Sequence, residues 1–411
     1  MSGSQGSCRS CSGRNLKPVL DLKFTPLANS LLTGAQLREV EPTFPLVLTF
    51  CPDCSLVQIT ETVPPEILYR NYFYFSSFSD TMLRHAEEIV QRVIKSRGLD
   101  ARSLAAEIAS NDGYLLQYYK HAGIPVLGID PAANVAKIAE EQRGVRTICD
   151  FFGLELARKL RERNECADVI HANNVLAHVA DLNGIAAGIE VFLKDNGMAV
   201  IEVPYVKDMI DHVEFDTIYH EHLCYFSLTA LDRLTQRHGL LITDAERLAI
   251  HGGSLRLFVG KGRDKPRSDA VTKLLADELE WGVDRAGFYE KFGDRVQQLK
   301  TKLQTLLRDL KASGKTIAVY GASAKGSTLL NYFGIGRDIV EFVVDRSTVK
   351  QGHYTPGTHL PIVSPEKLLQ NAPDYVLLLT WNFADEILNQ QAEYRKKGGK
   401  FIIPIPDVRV V

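Results

Sequence analysis

The chain has 411 residues, too many for one typical core and enough for two or three domains of roughly 100–200 residues each. Its 48 Lys and Arg stand against 50 Asp and Glu, a net charge of −2 that offers no field for nucleic acid or an anionic membrane. The start "MSGSQGSCRSC" has no apolar leader and no stretch nears the roughly 18 uncharged apolar residues of a membrane span, so a cytoplasmic protein is expected.

Residues 1–66 come first and are rich in Pro, Cys and short polar turns. Four of the seven cysteines form two C-x-x-C pairs, Cys8/Cys11 and Cys51/Cys54, with 39 residues between them; Cys149, Cys166 and Cys224 are scattered. Two such knuckles converge four thiolates on a tetrahedral ion, and zinc suits that ligand set. With all four positions filled by Cys the site is expected to be structural, so Cys51→Ser is expected to lower stability and zinc content and to spare activity. Buried free thiols or a redox pair are the competing readings, but no thioredoxin-like context follows either pair.

From 67 to 265, apolar runs ending in Gly, Asn or Asp alternate with helical spacing, the mark of a parallel α/β sheet. Seven strands are predicted, at 103–109, 125–130, 145–149, 167–172, 197–203, 240–246 and 254–260, the last two as a terminal hairpin. The first runs into "EIASNDG", with Glu107, Ala109, Asn111 and Gly113 at alternate positions, where a cofactor loop turns before a helix. Two expected glycines are missing, and as a bare motif the loop also fits a simple strand-to-helix turn. The next strand ends in Asp130, with Pro131 beside it, placed to accept ribose hydroxyls; a third ends at Asp150 and Phe151, placed to bond and cover an adenine. A pyrophosphate cofactor favours the missing glycines, whereas S-adenosylmethionine, which lacks one, fits the polar loop, and the seven-strand count resembles class I methyltransferases.

Residues 266–312 are charged and helix-forming, a predicted connector, after which a second, shorter parallel sheet is predicted from strands at 316–323, 340–345, 374–380 and 400–406. Its first loop, "GASAKGST", is not a Walker A motif, because Lys325 precedes the final Gly. As a strand–loop–helix turn it offers Ser323, Lys325 and backbone N–H groups to a diphosphate, with Asn331 and Tyr332 on the following helix. A fold element without a ligand is the alternative.

The paired cysteines, "YFYFSSFSDTM", "EIASNDG", "GIDPAANVA", "HANNVLAHV", "YHEHLCYFS", "HGGSLRLFV" and "YGASAKGSTLLNY", in this order, resemble the C-methyltransferases that act on nucleotide-linked 4-keto deoxysugars, such as the dTDP-sugar carbon-3 enzymes of antibiotic pathways. The resemblance spans nearly the whole chain. It implies S-adenosylmethionine as donor, structural zinc, and a nucleotide sugar held between a central class I methyltransferase domain and a C-terminal Rossmann-like domain. It places the base at His222, with Tyr219 and Glu221 beside it, a further active-site histidine at His178, and Asn173 of the same stretch beside the donor. Tyr72 and Tyr74 read either as substrate contacts or as a staple between module and core. A monomer or weak oligomer is expected.

Methylating a carbon next to a ketone needs a base for the α-proton, and neutral imidazole suits cellular pH. In an extended "YHEH" His220 and His222 share one side and Tyr219 and Glu221 the other, whereas a loop converges all four. A core histidine, or a His-x-His metal pair lacking a third ligand, are the competing readings. Two further classes stay open at this point: an NAD(P)-dependent oxidoreductase using the "GASAKG" loop, and a non-catalytic zinc protein that binds S-adenosylmethionine.

Overall fold

The computed structural model of the protein describes residues 6–65, 68, 76–262 and 266–411. Tyr72 and Tyr74 lie outside the described residues. Strands β1 (Lys17–Pro26), β2 (Thr43–Phe50) and β3 (Val57–Ile59) form an antiparallel ladder, β1 on β2 and β2 on β3. The two knuckles sit just before β1 and between β2 and β3, so the ladder carries both cysteine pairs to one end of the sheet.

The central strands are β4 (Ala105–Ile108), β5 (Val126–Ile129), β6 (Thr147–Ile148), β7 (Ala167–Asn173) and β8 (Leu193–Pro204); a two-residue strand β9 (Cys224–Tyr225) follows, then β10 (Leu240–Leu248) and β11 (Ser254–Lys261). All but β9 join one sheet in the order β10-β11-β8-β7-β4-β5-β6, with β11 antiparallel to both neighbours. The seven expected strands and the terminal hairpin are therefore present. Apolar residues on both faces, as in the fully buried β4, demand helices on both sides, and these follow each parallel strand. The strand order reverses between β4 and β7, which opens a crevice at their carboxyl ends.

Strand β9 leaves this sheet and pairs antiparallel with β3, Val57 against Tyr225 and Gln58 against Cys224. The segment after "YHEH" is thus the fourth strand of the cysteine-bearing sheet, which the sequence did not foretell.

The connector holds two long helices, Asp269–Trp281 and Phe292–Ala312. Phe292, Val296, Leu299, Leu303 and Leu307 recur every three or four residues and are buried, which lays the second helix along the core. In the first, Glu278 is fully buried and accepts from the N–H groups of Leu228 and Thr229 and from the Tyr205 hydroxyl, at 2.7, 2.7 and 2.8 Å. It thereby serves the N-terminus of helix Leu228–Arg237.

The C-terminal sheet comprises β12 (Ile317–Tyr320), β13 (Val343–Val344), β14 (Ile362–Val363), β15 (Tyr375–Leu378), β16 (Lys400–Ile403) and β17 (Arg409–Val410), in the order β14-β13-β12-β15-β16-β17. It is parallel except for β17. Strands β14 and β17, two residues each, were not expected. One contiguous cluster of buried apolar side chains runs through all three sheets, from Cys8 to Val408.

Candidate active site

At the cysteine end, the four sulfurs of Cys8, Cys11, Cys51 and Cys54 lie within 4.8 Å of one another. A tetrahedral zinc with Zn–S bonds near 2.3 Å places its sulfurs about 3.8 Å apart, so the set fits the ion without rearrangement. The knuckles repeat each other: Ser12 N–H donates to the Cys8 carbonyl and Ser55 N–H to that of Cys51, both at 2.8 Å, with φ +63° and +65° at the two serines.

At the crevice, the loop after β4 has φ +55° at Ala109, +49° at Asn111 and +77° at Gly113. These are values that glycine adopts freely and other residues at a cost of about 1–3 kcal/mol. The backbone keeps the glycine shape without two of the glycines, which is why the motif reads as weak. Asp130 pins it: Oδ2 accepts from Asn111 N–H and Oδ1 from Ala132 N–H, each at 2.9 Å. The residue expected to hold a ribose therefore also braces the loop, with a second lone pair left on each oxygen.

Among the described residues, Glu107 Oε2, Ser110 Oγ and Asn173 Oδ1 are buried near the strand ends without a hydrogen-bond partner. Burial, with Asp112 and Asp130 nearby, pushes Glu107 well above the usual carboxyl range. Such orphaned polar atoms around a left-handed cradle fit a donor bearing an amine and hydroxyls. Pro131 is half-buried beside Asp130; Asp150 and Phe151 stand past the end of β6, with Phe151 49% exposed at the rim. Replacing Asp130 with Ala is expected to weaken S-adenosylmethionine binding about 10- to 100-fold, since charge-assisted bonds and the loop's brace go together. Titration calorimetry that returns an unchanged dissociation constant removes Asp130 from the site.

"YHEH" is a tight turn, His222 N–H donating to the Tyr219 carbonyl at 2.9 Å. It separates the histidines that an extended chain would align. His220 turns to the cysteine-bearing unit, its Nε2 3.2 Å from the Pro45 carbonyl and its ring edge-on to Phe44. His222 turns instead to His178, which follows β7: Nδ1 lies 2.9 Å from the Thr217 carbonyl and Nε2 2.8 Å from the Tyr219 hydroxyl. A carbonyl only accepts, so Nδ1 carries the proton, Nε2 carries the lone pair, and the Tyr219 hydroxyl donates to it. Leu223 N–H donates to the Ala177 carbonyl at 2.7 Å, which brings the neighbouring His178 ring edge-on to His222, centroids 4.8 Å apart. Glu221 is buried and accepts from Asn29 Nδ2 at 2.7 Å. Burial pushes its carboxyl up to about 7, opposed by that bond and by the Lys350 charge.

Burial lowers His178 to about 4, opposed by the Glu221 backbone. The unfolded chain takes up this proton near pH 6.5 and the folded one only near 4, so His178 contributes stability above that window and loses it as pH falls through it. Between pH 6.5 and 5 the loss amounts to about 2 kcal/mol. His178→Gln should flatten the acid side of the wild-type melting-temperature curve; parallel curves would deny His178 this share.

Three families match successive parts of the chain: a zinc binding domain over residues 8–69, a methyltransferase domain over 82–245 and a C-methyltransferase C-terminal domain over 249–406. The C-methyltransferase NovU of Streptomyces niveus is 36% identical over 405 residues, which cover 98% of this chain and 96% of NovU. The chain belongs to the C-methyltransferases. Among solved structures, an S-adenosylmethionine-dependent methyltransferase from Clostridium acetobutylicum matches 44% of this chain and 92% of its own length at 12% identity, TM-score 0.37. Another, from Anabaena variabilis, matches 43% and 84% at 11% identity, TM-score 0.36. The methyltransferase uses S-adenosylmethionine and carries a structural zinc site in its four converging cysteines. The oxidoreductase and binding-protein alternatives are not favoured.

In the methyltransferase the C-terminal loop approaches the same turn. Gly321, at φ +99°, lies so near Thr380 that a Cβ would meet Thr380 Cγ2 at 2.6 Å. Ser323 caps helix Ala324–Phe333, its Oγ accepting from Gly326 N–H at 3.1 Å. Lys325 Nζ lies 4.7 Å over the Trp381 ring and has no hydrogen bond among the described residues. Asn331 Nδ2 donates to the Ser327 and Pro356 carbonyls at 2.8 and 3.1 Å, so of this side chain only the amide oxygen is left for the expected substrate contact. Sequence reasoning missed Asp216 and the three residues that reach the segment 216–221 from elsewhere, Asn29, Thr328 and Trp381. Only Trp381, one of two tryptophans and just past a strand end, carried a signal.

Proposed function

We propose that the enzyme methylates the carbon beside the ketone of a nucleotide-linked 4-keto deoxysugar, with His222 as general base. The observation that supports this most is the paired setting of His222, Nδ1 fixed on a backbone carbonyl and Nε2 under the Tyr219 hydroxyl. In this reading the Tyr219 hydroxyl passes from Nε2 to the ketone oxygen as the sugar binds, the freed Nε2 takes the α-proton, the C–H pair forms the enolate, and negative charge develops on the ketone oxygen. Tyr219 and Glu221 orient the base and polarise that oxygen, Glu221 with a carboxyl near 7 that keeps a proton available at neutral pH. S-adenosylmethionine, when bound, supplies an electrophilic methyl group on sulfur, the acceptor for the carbon nucleophile. Glu107, Ala109, Asn111, Gly113, Asp130 and Asn173 would hold it, with Phe151 over the adenine. Ser323 and Lys325 would take the sugar-linked diphosphate at the cap of helix Ala324–Phe333. NovU, a C-methyltransferase by name, supports carbon as the methylated atom.

The test is a mass-spectrometric screen of dTDP-, GDP- and CDP-linked 4-keto sugars with S-adenosylmethionine. One of them is expected to gain a single methyl mass on a ring carbon next to the ketone. A methyl gained on oxygen, or only on a sugar lacking the ketone, would sink the reading.

A further inference from the structure

The turn that carries His222 is held from the C-terminal domain at three points. Trp381 Nε1 donates to Asp216 Oδ2 at 2.7 Å, Thr328 Oγ1 donates to the Ile218 carbonyl at 3.1 Å, and Phe215 stacks on Phe333 with centroids 4.8 Å apart. Between the first two points lies Thr217, whose carbonyl receives His222 Nδ1–H. Asp216 is fully buried and its Oδ1 has no partner among the described residues. A buried carboxyl whose one side-chain donor among the described residues is a distant indole is a costly way to fill a core, since desolvation is offset only in part. Burial accordingly raises its pKa, opposed by the Lys325 charge, the Trp381 indole and the N–H groups of Asp216 and Thr217. The arrangement is explained if the peptide from 216 to 218 has to be held in one orientation. A rotated Thr217 carbonyl would release Nδ1–H, and the imidazole would then exchange tautomers and turn its lone pair away from Nε2.

We propose that Trp381 and Asp216 are a positioning pair that fixes the tautomer and orientation of His222 through the Thr217 carbonyl. Neither touches substrate in this role. Lys325, over the indole face, keeps the ring plane aligned with Asp216. The pair makes the C-terminal domain part of the base's machinery rather than a substrate platform alone. This inference rests on His222 being the base, and its primary readout does not.

Trp381→Phe keeps an aromatic face for Lys325 and removes the N–H donor. In enzyme labelled with 15N-histidine, with the His222 signals assigned by their absence in His222→Asn, long-range proton–nitrogen correlation reports the tautomer. Wild type is expected in the Nδ1–H form, and Trp381→Phe in a mixture of both forms. On the sugar that the screen identifies, kcat should fall about tenfold with KM changed less than about twofold, the share of one lost charge-assisted bond. Asp216→Asn retains an acceptor for the indole and should restore most of the turnover that Asp216→Ala loses. A pure Nδ1–H form in a folded Trp381→Phe enzyme overturns the proposal, as does an Asp216→Asn enzyme as impaired as Asp216→Ala. A shifted tautomer beside near-normal turnover in His222→Asn would instead uphold the positioning pair and reject His222 as base.

Discussion

His222→Asn is expected to lower turnover on the order of 100- to 10,000-fold while S-adenosylmethionine and sugar nucleotide still bind. The substitution is conservative for this site. The Asn side-chain amide can donate to the Thr217 carbonyl where Nδ1–H does now, so the turn keeps its anchor. What disappears is the Nε2 lone pair under the Tyr219 hydroxyl, and no amide oxygen replaces its basicity near pH 7. Deprotonation can be read apart from methyl transfer by deuterium uptake at the carbon beside the ketone, in heavy water with S-adenosylhomocysteine present to block transfer. Wild type washes in label if its base exchanges with solvent, and the mutant should not. A mutant that labels as fast as an exchanging wild type, or methylates near normally, moves the role to His178, since His220 faces Pro45.

Removing the zinc, or one of its thiolates in Cys51→Ser, is expected to cost both stability and catalysis. The sequence alone argues that a closed four-thiolate site spares activity, but the structure changes that expectation. Strand β3 starts three residues after Cys54 and pairs with β9, which starts two residues after His222. The same unit places Pro45 on His220 and Asn29 on Glu221. Loss of the metal should lower stability by several kcal/mol, on the order of 4, because its binding energy is folding energy here. Turnover per folded molecule should fall about tenfold as the Glu221 and His220 contacts loosen, one charge-assisted bond's worth in the transition state. The check is kcat normalised to the folded fraction by near-ultraviolet dichroism, with zinc content and melting temperature measured together. Normal kcat in a zinc-free, folded enzyme would show that the unit braces the turn without the metal.

The central sheet was legible because its strands are buried on both faces and carry their own apolar runs, so that even the hairpin from 240 to 260 followed from pattern. The cysteine site was legible for the same kind of reason: ligands in two local knuckles need no tertiary knowledge. The loop after β4 was half legible. Its left-handed residues at Ala109 and Asn111 hide a glycine geometry behind non-glycine names, and only the acidic residue at the next strand end gave it away. The candidate catalytic turn was legible in composition but not in shape, because Tyr219, His220, Glu221 and His222 fold back on themselves. No periodicity announces a turn stabilised by a carbonyl on one side and a foreign strand on the other. Asn29 and Trp381 reach the site from 192 and 165 residues away, and a single sequence carries no record of such contacts. Asn331, chosen for its place on the helix after the loop, also braces Pro356, a contact that no local pattern announces.

The β3–β9 pairing also dictates the order in which the chain can be finished. Val57 and Tyr225 are separated by about 170 residues, the longest span of any pairing between named strands among the described residues, so its loop is expensive to close early. During synthesis the knuckles and β1–β3 emerge complete, able to capture metal at once. Yet β3 then presents a bare edge to solvent until β9 has been made, and an unpaired edge is a template for another nascent copy. The first 65 residues are therefore a poor unit to excise or to graft. What closes their sheet is the strand that leads out of the turn carrying His222, and a chain halted before residue 225 leaves both the edge and that turn open.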